Sequence, residues 1–172
     1  AAEAGRFRRG ARVPGVTIVT DPESARRALQ VLRGLADRPH AWDTETTDLR
    51  LGRGAAAQSP VTHGSVVCAT CYCGDDVDFG SGPRLFIDNA GPAAGLLAEG
   101  FREYFEDPAM KKVYFNYSFE RHVLRRHGIR LQGFYGDAMH LARLYDTSLA
   151  SWEGQVQAQR GAGRPPAAPA AG

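Results

Sequence analysis

His40-Ala41-Trp42-Asp43-Thr44-Glu45-Thr46 alternates like a β-strand, and its two-residue period puts Ala41, Asp43 and Glu45 on one face. Burying two carboxylates in a half-apolar segment is costly unless a cation compensates them. Mg²⁺ takes hard oxygen ligands and usually keeps several waters, so a carboxylate pair near a substrate phosphate is a suitable anchor. An exposed strand edge, with both acids facing water, is the other reading of the same residues. Trp42 is expected in the core.

Outward from this strand the chain alternates between strand and helix patterns. On the N-terminal side, Val16-Thr17-Ile18-Val19 reads as a short strand. Thr20-Asp21-Pro22-Glu23 carries a capping residue, an early proline and a first-turn acid, which start a helix. Ala25, Leu29, Leu32 and Leu35 continue it to about Asp37. On the C-terminal side, residues 50–61 read as a loop, 64–73 as β-rich, and Arg84 to Asp88 as a further strand. Ala94 to Phe105 is expected to be one helix, with Leu97, Phe101, Tyr104 and Phe105 inward. A strand at Lys112 to Phe115, a helix from Tyr117 to His127 and a short strand at Gly133 to Tyr135 follow. Asp137 is placed to cap a last helix bearing Met139, Leu141, Ala142 and Leu144. The alternation predicts an α/β domain, and the two successive strands within 64–88 make part of its sheet antiparallel.

Composition sets limits. An apolar fraction of 43% and a charged fraction of 23% suit a globular domain. No apolar run approaches the ~20 residues of a membrane-spanning helix. The net charge of +2 is too small to make the whole molecule a nucleic-acid magnet, although Arg121, Arg125, Arg126 and Arg130 recur along one stretch. Arg121 and Arg125 would track a DNA backbone or form a solvated stripe. Cys68, Cys71 and Cys73 are odd in number and lack a second cysteine pair to complete a zinc site, so they read as free thiols in a buried strand. Residues 1–15 are expected to be a linker or targeting remnant. Residues 149–172 read as a low-complexity tail, since Gly161 to Gly172 contain only Gly, Ala and Pro apart from Arg164. The fold is left to residues 16–148.

Asn116-Tyr117-Ser118-Phe119-Glu120 is the second candidate segment, at a strand-to-helix handover. Asn116 falls at or near the cap, and Glu120 lies in the first turn, where the helix dipole favours an acid even without function. Spacing alone does not bring Glu120 to Asp43 and Glu45.

Taken together, Asp43-Thr44-Glu45-Thr46 and Asn116-x-x-x-Glu120, about seventy residues apart, resemble the first two motifs of the DEDD 3′–5′ exonuclease superfamily in its polymerase I form. Five further segments are similar to the organellar DNA polymerases of plants and algae: His63-Gly64, Asp78-Phe79-Gly80, Phe105-Glu106-Asp107-Pro108, Lys111-Lys112-Val113 and Asp137-Ala138-Met139-His140-Leu141-Ala142-Arg143-Leu144. The resemblance implies a ribonuclease H-like fold, a mixed sheet flanked by helices. It also implies hydrolysis of the 3′-terminal phosphodiester of single-stranded DNA with two Mg²⁺ or Mn²⁺ ions. Asp43, Glu45 and Glu120 would be the catalytic metal ligands, and Thr46, Leu49 and Asn116 would contact the substrate strand. A polymerase module in the full-length protein, and a plastid or mitochondrial location, are implied in the same way. No membrane partner is expected.

Two positions depart from that pattern. Glu120 stands where the family's motif has Asp, and a methylene displaces the carboxylate by about a bond length, enough to disturb octahedral Mg²⁺ geometry. The family's third motif, a Tyr with an Asp four residues later, is absent. His140 and Asp146 do not supply the histidine variant of that motif, being one residue too far apart, and are read as helix-surface residues. A module that only binds single strands or a partner, and a stand-alone enzyme acting on RNA ends, are the competing readings.

Overall fold

The computed structural model describes residues 12–51 and 57–147. Its centre is a six-stranded sheet built from β1 (Val16–Val19), β2 (His40–Thr47), β3 (Ser65–Tyr72), β4 (Arg84–Asp88), β5 (Lys112–Tyr114) and β6 (Phe134–Asp137). In space the order is β1-β4-β3-β2-β5-β6. Strand β3 runs antiparallel to both neighbours, whereas the β1–β4, β2–β5 and β5–β6 pairs are parallel. The expected mixed sheet is therefore present, and β2 lies inside it.

Helix α1 (Pro22–Arg33) begins as its sequence dictates. The Asp21 carboxylate accepts from the Glu23 and Ser24 amides at 2.9 Å, and Pro22 fills the first turn. It stops at Gly34, short of the expected Asp37. The helix expected over 94–105 is instead two short ones, α2 (Leu96–Gly100) and α3 (Arg102–Glu106). They break at Phe101, which is fully buried, directly after Gly100, the poorest non-proline helix former. Helices α4 (Tyr117–Arg126) and α5 (Ala138–Tyr145) follow β5 and β6.

One face of the sheet carries the core. Ala28, Leu32, Leu97, Phe105 and Leu124 from the helices pack with Trp42, Ala69, Leu85 and Ile87 from the strands. The Trp42 ring meets Phe105 edge-on at 4.7 Å between centroids. Beneath β5, Lys112 is wholly buried and donates to the carbonyls of Met110, Asp107 and Gln132 at 2.8, 2.9 and 3.1 Å. Burial pulls its pKa down to about 8, while the three acceptors use every ammonium proton. Gly133 closes this cage. It has φ +68°, and a Cβ there would lie 2.1 Å from the Met110 carbonyl oxygen.

The core face of β2 is polar at its first residue. Buried His40 donates from Nε2 to the Leu35 carbonyl at 3.0 Å, which leaves Nδ1 to accept from the Tyr104 hydroxyl at 2.6 Å. Tyr104 in turn accepts from Trp42 Nε1 at 3.0 Å. Burial lowers the His40 pKa by desolvating the charged ring, and the neutral ring is the form whose Nδ1 accepts from Tyr104. In the unfolded chain the imidazole takes up a proton below about pH 6.5. Stability from His40 is thus present above that pH and lost as pH falls through the window. Melting scans at pH 7.5 and 5.0 are expected to give a smaller acid-induced drop in Tm for His40→Gln than for wild type. Equal drops would contradict this assignment.

Candidate active site

Strand alternation sends His40, Trp42 and Thr44 into the core and leaves Ala41, Asp43 and Glu45 exposed on the opposite face. Asp43 faces Thr70 and Glu45 faces Cys68 across the β2–β3 ladder, and the register shifts just beyond Glu45. Such a bulge re-aims side chains at a strand end. Cys68 also pairs with Asp88 on β4, so Glu45, Cys68 and Asp88 form one row across the sheet. A cavity of about 610 Å³ opens beside Asp43, walled by Ala41, Tyr72, Phe86, Val113 and Phe115.

The third acid arrives from α4. Between β5 and α4 the chain turns through Asn116, whose φ of 65° and ψ of 62° lie in the left-handed region that Asn tolerates better than most residues. Asn116 stands at the N-cap position, as expected, but its side chain makes no capping hydrogen bond; the backbone turn is what the residue provides. Asp137 supplies the missing acceptor. Its carboxylate takes the Asn116 and Tyr117 amides at 3.0 and 2.8 Å, and caps α5 through the Met139 and His140 amides at 3.0 and 3.4 Å. Burial pushes the Asp137 carboxyl up, but these four N–H groups outweigh it and hold the pKa below the usual range.

With α4 so anchored, Glu120 is 2% exposed and reaches Thr44, the residue between the two strand acids. The Thr44 hydroxyl donates to Glu120 Oε2 at 2.7 Å, and the Thr44 amide donates to Oε1 at 3.4 Å. Asp43 and Glu45 therefore face outward from β2, while Glu120 of α4 is held at the intervening Thr44 from the core side. Among the described residues, no three acidic, histidine or cysteine side chains stand as a ready-made metal cage.

The electrostatics reflect this crowding. Burial raises the Glu120 pKa to about 8, the Thr44 hydroxyl opposes the rise, and Asp43 and Glu45 add to it. Without a cation, stability from protonated Glu120 is complete below about pH 4.5 and lost as pH rises through 8. Asp43 is also raised, by desolvation first and then by Glu45. A divalent cation would relieve this repulsion, and the donors are hard carboxylate oxygens of the kind Mg²⁺ and Mn²⁺ take. Asp43 and Glu45 offer such donors on one open face, whereas Glu120 is turned to Thr44.

The other residues read from the sequence fall as follows. Thr46 is half-buried at the end of β2, and Leu49 is half-buried in the following loop, against Gly64. Cys71 and Cys73 are buried free thiols with sulfurs 3.6 Å apart, while Cys68 is half-buried. Arg121 and Arg125 are exposed along α4, and His140 and Asp146 are exposed as expected. Arg126 instead bonds back to the Thr62 and Gly64 carbonyls. Thr44 was not singled out by sequence reasoning. Its parity in β2 says that it points inward, but nothing local says what it meets.

A mixed sheet with two acids on the open face of an inner strand defines an α/β domain with an acidic candidate site. Residues 16–153 match the family model described as 3′-5′ exonuclease, and the chain belongs to that family. Curated relatives include DNA polymerase I B of Arabidopsis thaliana, chloroplastic and mitochondrial, which is 38% identical over 135 residues. The mitochondrial DNA polymerase I B of Oryza sativa subsp. japonica is 39% identical over 141 residues. Each match covers 77% of this chain and 13% of the relative, so the chain spans about an eighth of their length. Among solved structures, the catalytic core of RRP6 from Trypanosoma brucei aligns with a TM-score of 0.53 and 15% identity, covering 77% of this chain and 32% of that one. Escherichia coli RNase D aligns with a TM-score of 0.52 and 15% identity, covering 85% and 33%. These two likenesses concern the fold.

Proposed function

We propose that this domain trims DNA from the 3′ end, hydrolysing the terminal phosphodiester of a single strand with Mg²⁺ or Mn²⁺ bound at Asp43 and Glu45. The observation that carries the reading is the exposed Asp43–Glu45 pair with a third carboxylate, Glu120, on the residue between them. The bound ions would stabilise charge on the attacking and leaving oxygens. Asp43 and Glu45 would anchor them, Glu120 would complete the charge balance, and Thr46, Leu49 and Asn116 at the rim would steady the strand. A frayed end suits such a site, since no base pair has to be broken first. The names of the relatives support a place beside a polymerase module in a plastid or mitochondrion, as an editing activity.

One observation favours a second reading, a domain that binds single strands without cutting them. Glu120 spends both carboxylate oxygens on Thr44. The two readings separate on a 5′-labelled single-stranded DNA with Mg²⁺ or Mn²⁺. A ladder of shortened products is expected, faster than on an RNA oligomer. Glu120→Asp, which restores the family's residue, is expected to speed laddering by up to about 10²-fold, the scale on which a 1 Å misplacement matters. No laddering by either protein would leave the binding reading.

A further inference from the structure

Building on the reading that Asp43 and Glu45 hold a divalent cation, we propose that Thr44 is a positioning residue that withholds Glu120 from the open face. Asp43 and Glu45 then serve as first ligands, and Glu120 joins them only when its bonds to Thr44 break.

Three observations carry this. Thr44 is buried while its neighbours Asp43 and Glu45 are exposed, so the hydroxyl that holds Glu120 points away from them. Both Glu120 oxygens are engaged by that one residue, at 2.7 and 3.4 Å. The start of α4 is also clamped, since Asp137 takes the amides of Asn116 and Tyr117, so the helix cannot slide to carry Glu120 across. Side-chain rotation is the motion left, and it has to leave the buried Thr44 hydroxyl without its acceptor. Stranding a buried donor weakens a step by about 10–100-fold.

Mn²⁺ is the probe, titrated into the 172-residue chain and followed by the paramagnetic resonance of the free ion. Wild type is expected to take up one Mn²⁺ about 10–100-fold more tightly than a second. Thr44→Val should narrow that gap by tightening the second step, and Thr44→Ser, which keeps a hydroxyl, should restore it. Thr44→Ala serves if the valine variant fails to fold. A gap equal to or wider than that of wild type in the hydroxyl-free variants would overturn the role of Thr44. Failure of the underlying reading looks different: wild type would take up no Mn²⁺, or its first step would survive Asp43→Asn.

Discussion

Asp43→Asn is expected to reduce 3′-end trimming by more than about 10²-fold while leaving the melting temperature unchanged or slightly higher. Loss of an outer partner of a metal ligand typically costs 10–100-fold, and Asp43 is proposed as a ligand itself. Stability should not suffer, because Asp43 is exposed on the open face of β2. Asp43 also raises the Glu120 pKa by repulsion, so a neutral amide removes an unfavourable charge from the cluster. A trimming assay beside a thermal scan tests both halves. Trimming within tenfold of wild type would remove Asp43 from the chemistry, and a large fall in melting temperature would recast it as structural.

The largest loss of stability is expected at Asp137. Asp137→Ala strands four backbone N–H groups at once, two opening α4 and two opening α5. A lost cap costs about 0.5–2 kcal/mol, and a buried donor left without an acceptor costs about 1–3 kcal/mol. Together these set an expected loss of about 3–4 kcal/mol, near the upper end for one substitution. Asp137→Asn keeps one carbonyl oxygen and should lose about half as much. Chemical denaturation of the three proteins measures the order. If Asp137→Ala unfolds no more easily than Asp137→Asn, the double role assigned to the carboxylate is wrong.

The strands were legible because each declares its own period. In β2 the run from His40 to Glu45 set both the element and the outward face of its acids, and Asp21-Pro22 set the start of α1. The split of the 94–105 segment was not legible, since Leu97, Phe101, Tyr104 and Phe105 keep helical spacing across the break at Phe101. Tertiary burial of Phe101 decides there, and periodicity cannot see it. At the site, the shared face of Asp43 and Glu45 follows from residues two apart. The Thr44–Glu120 bond joins positions 76 apart, and the carboxylate of Asp137 reaches back 21 residues to Asn116. No local pattern encodes such contacts. Asn116 illustrates the limit well: its type suits a helix start, yet it serves through its backbone angles while another residue's carboxylate does the capping.

Because β2 turns alternate residues to opposite sides, its inner and outer duties are geared together. Inserting or deleting a single residue ahead of Trp42, with the strand kept in place, would swap indole and carboxylates between interior and exterior in one stroke. Descent with modification at this strand is therefore confined to exchanging one side chain for another, never to changing the count.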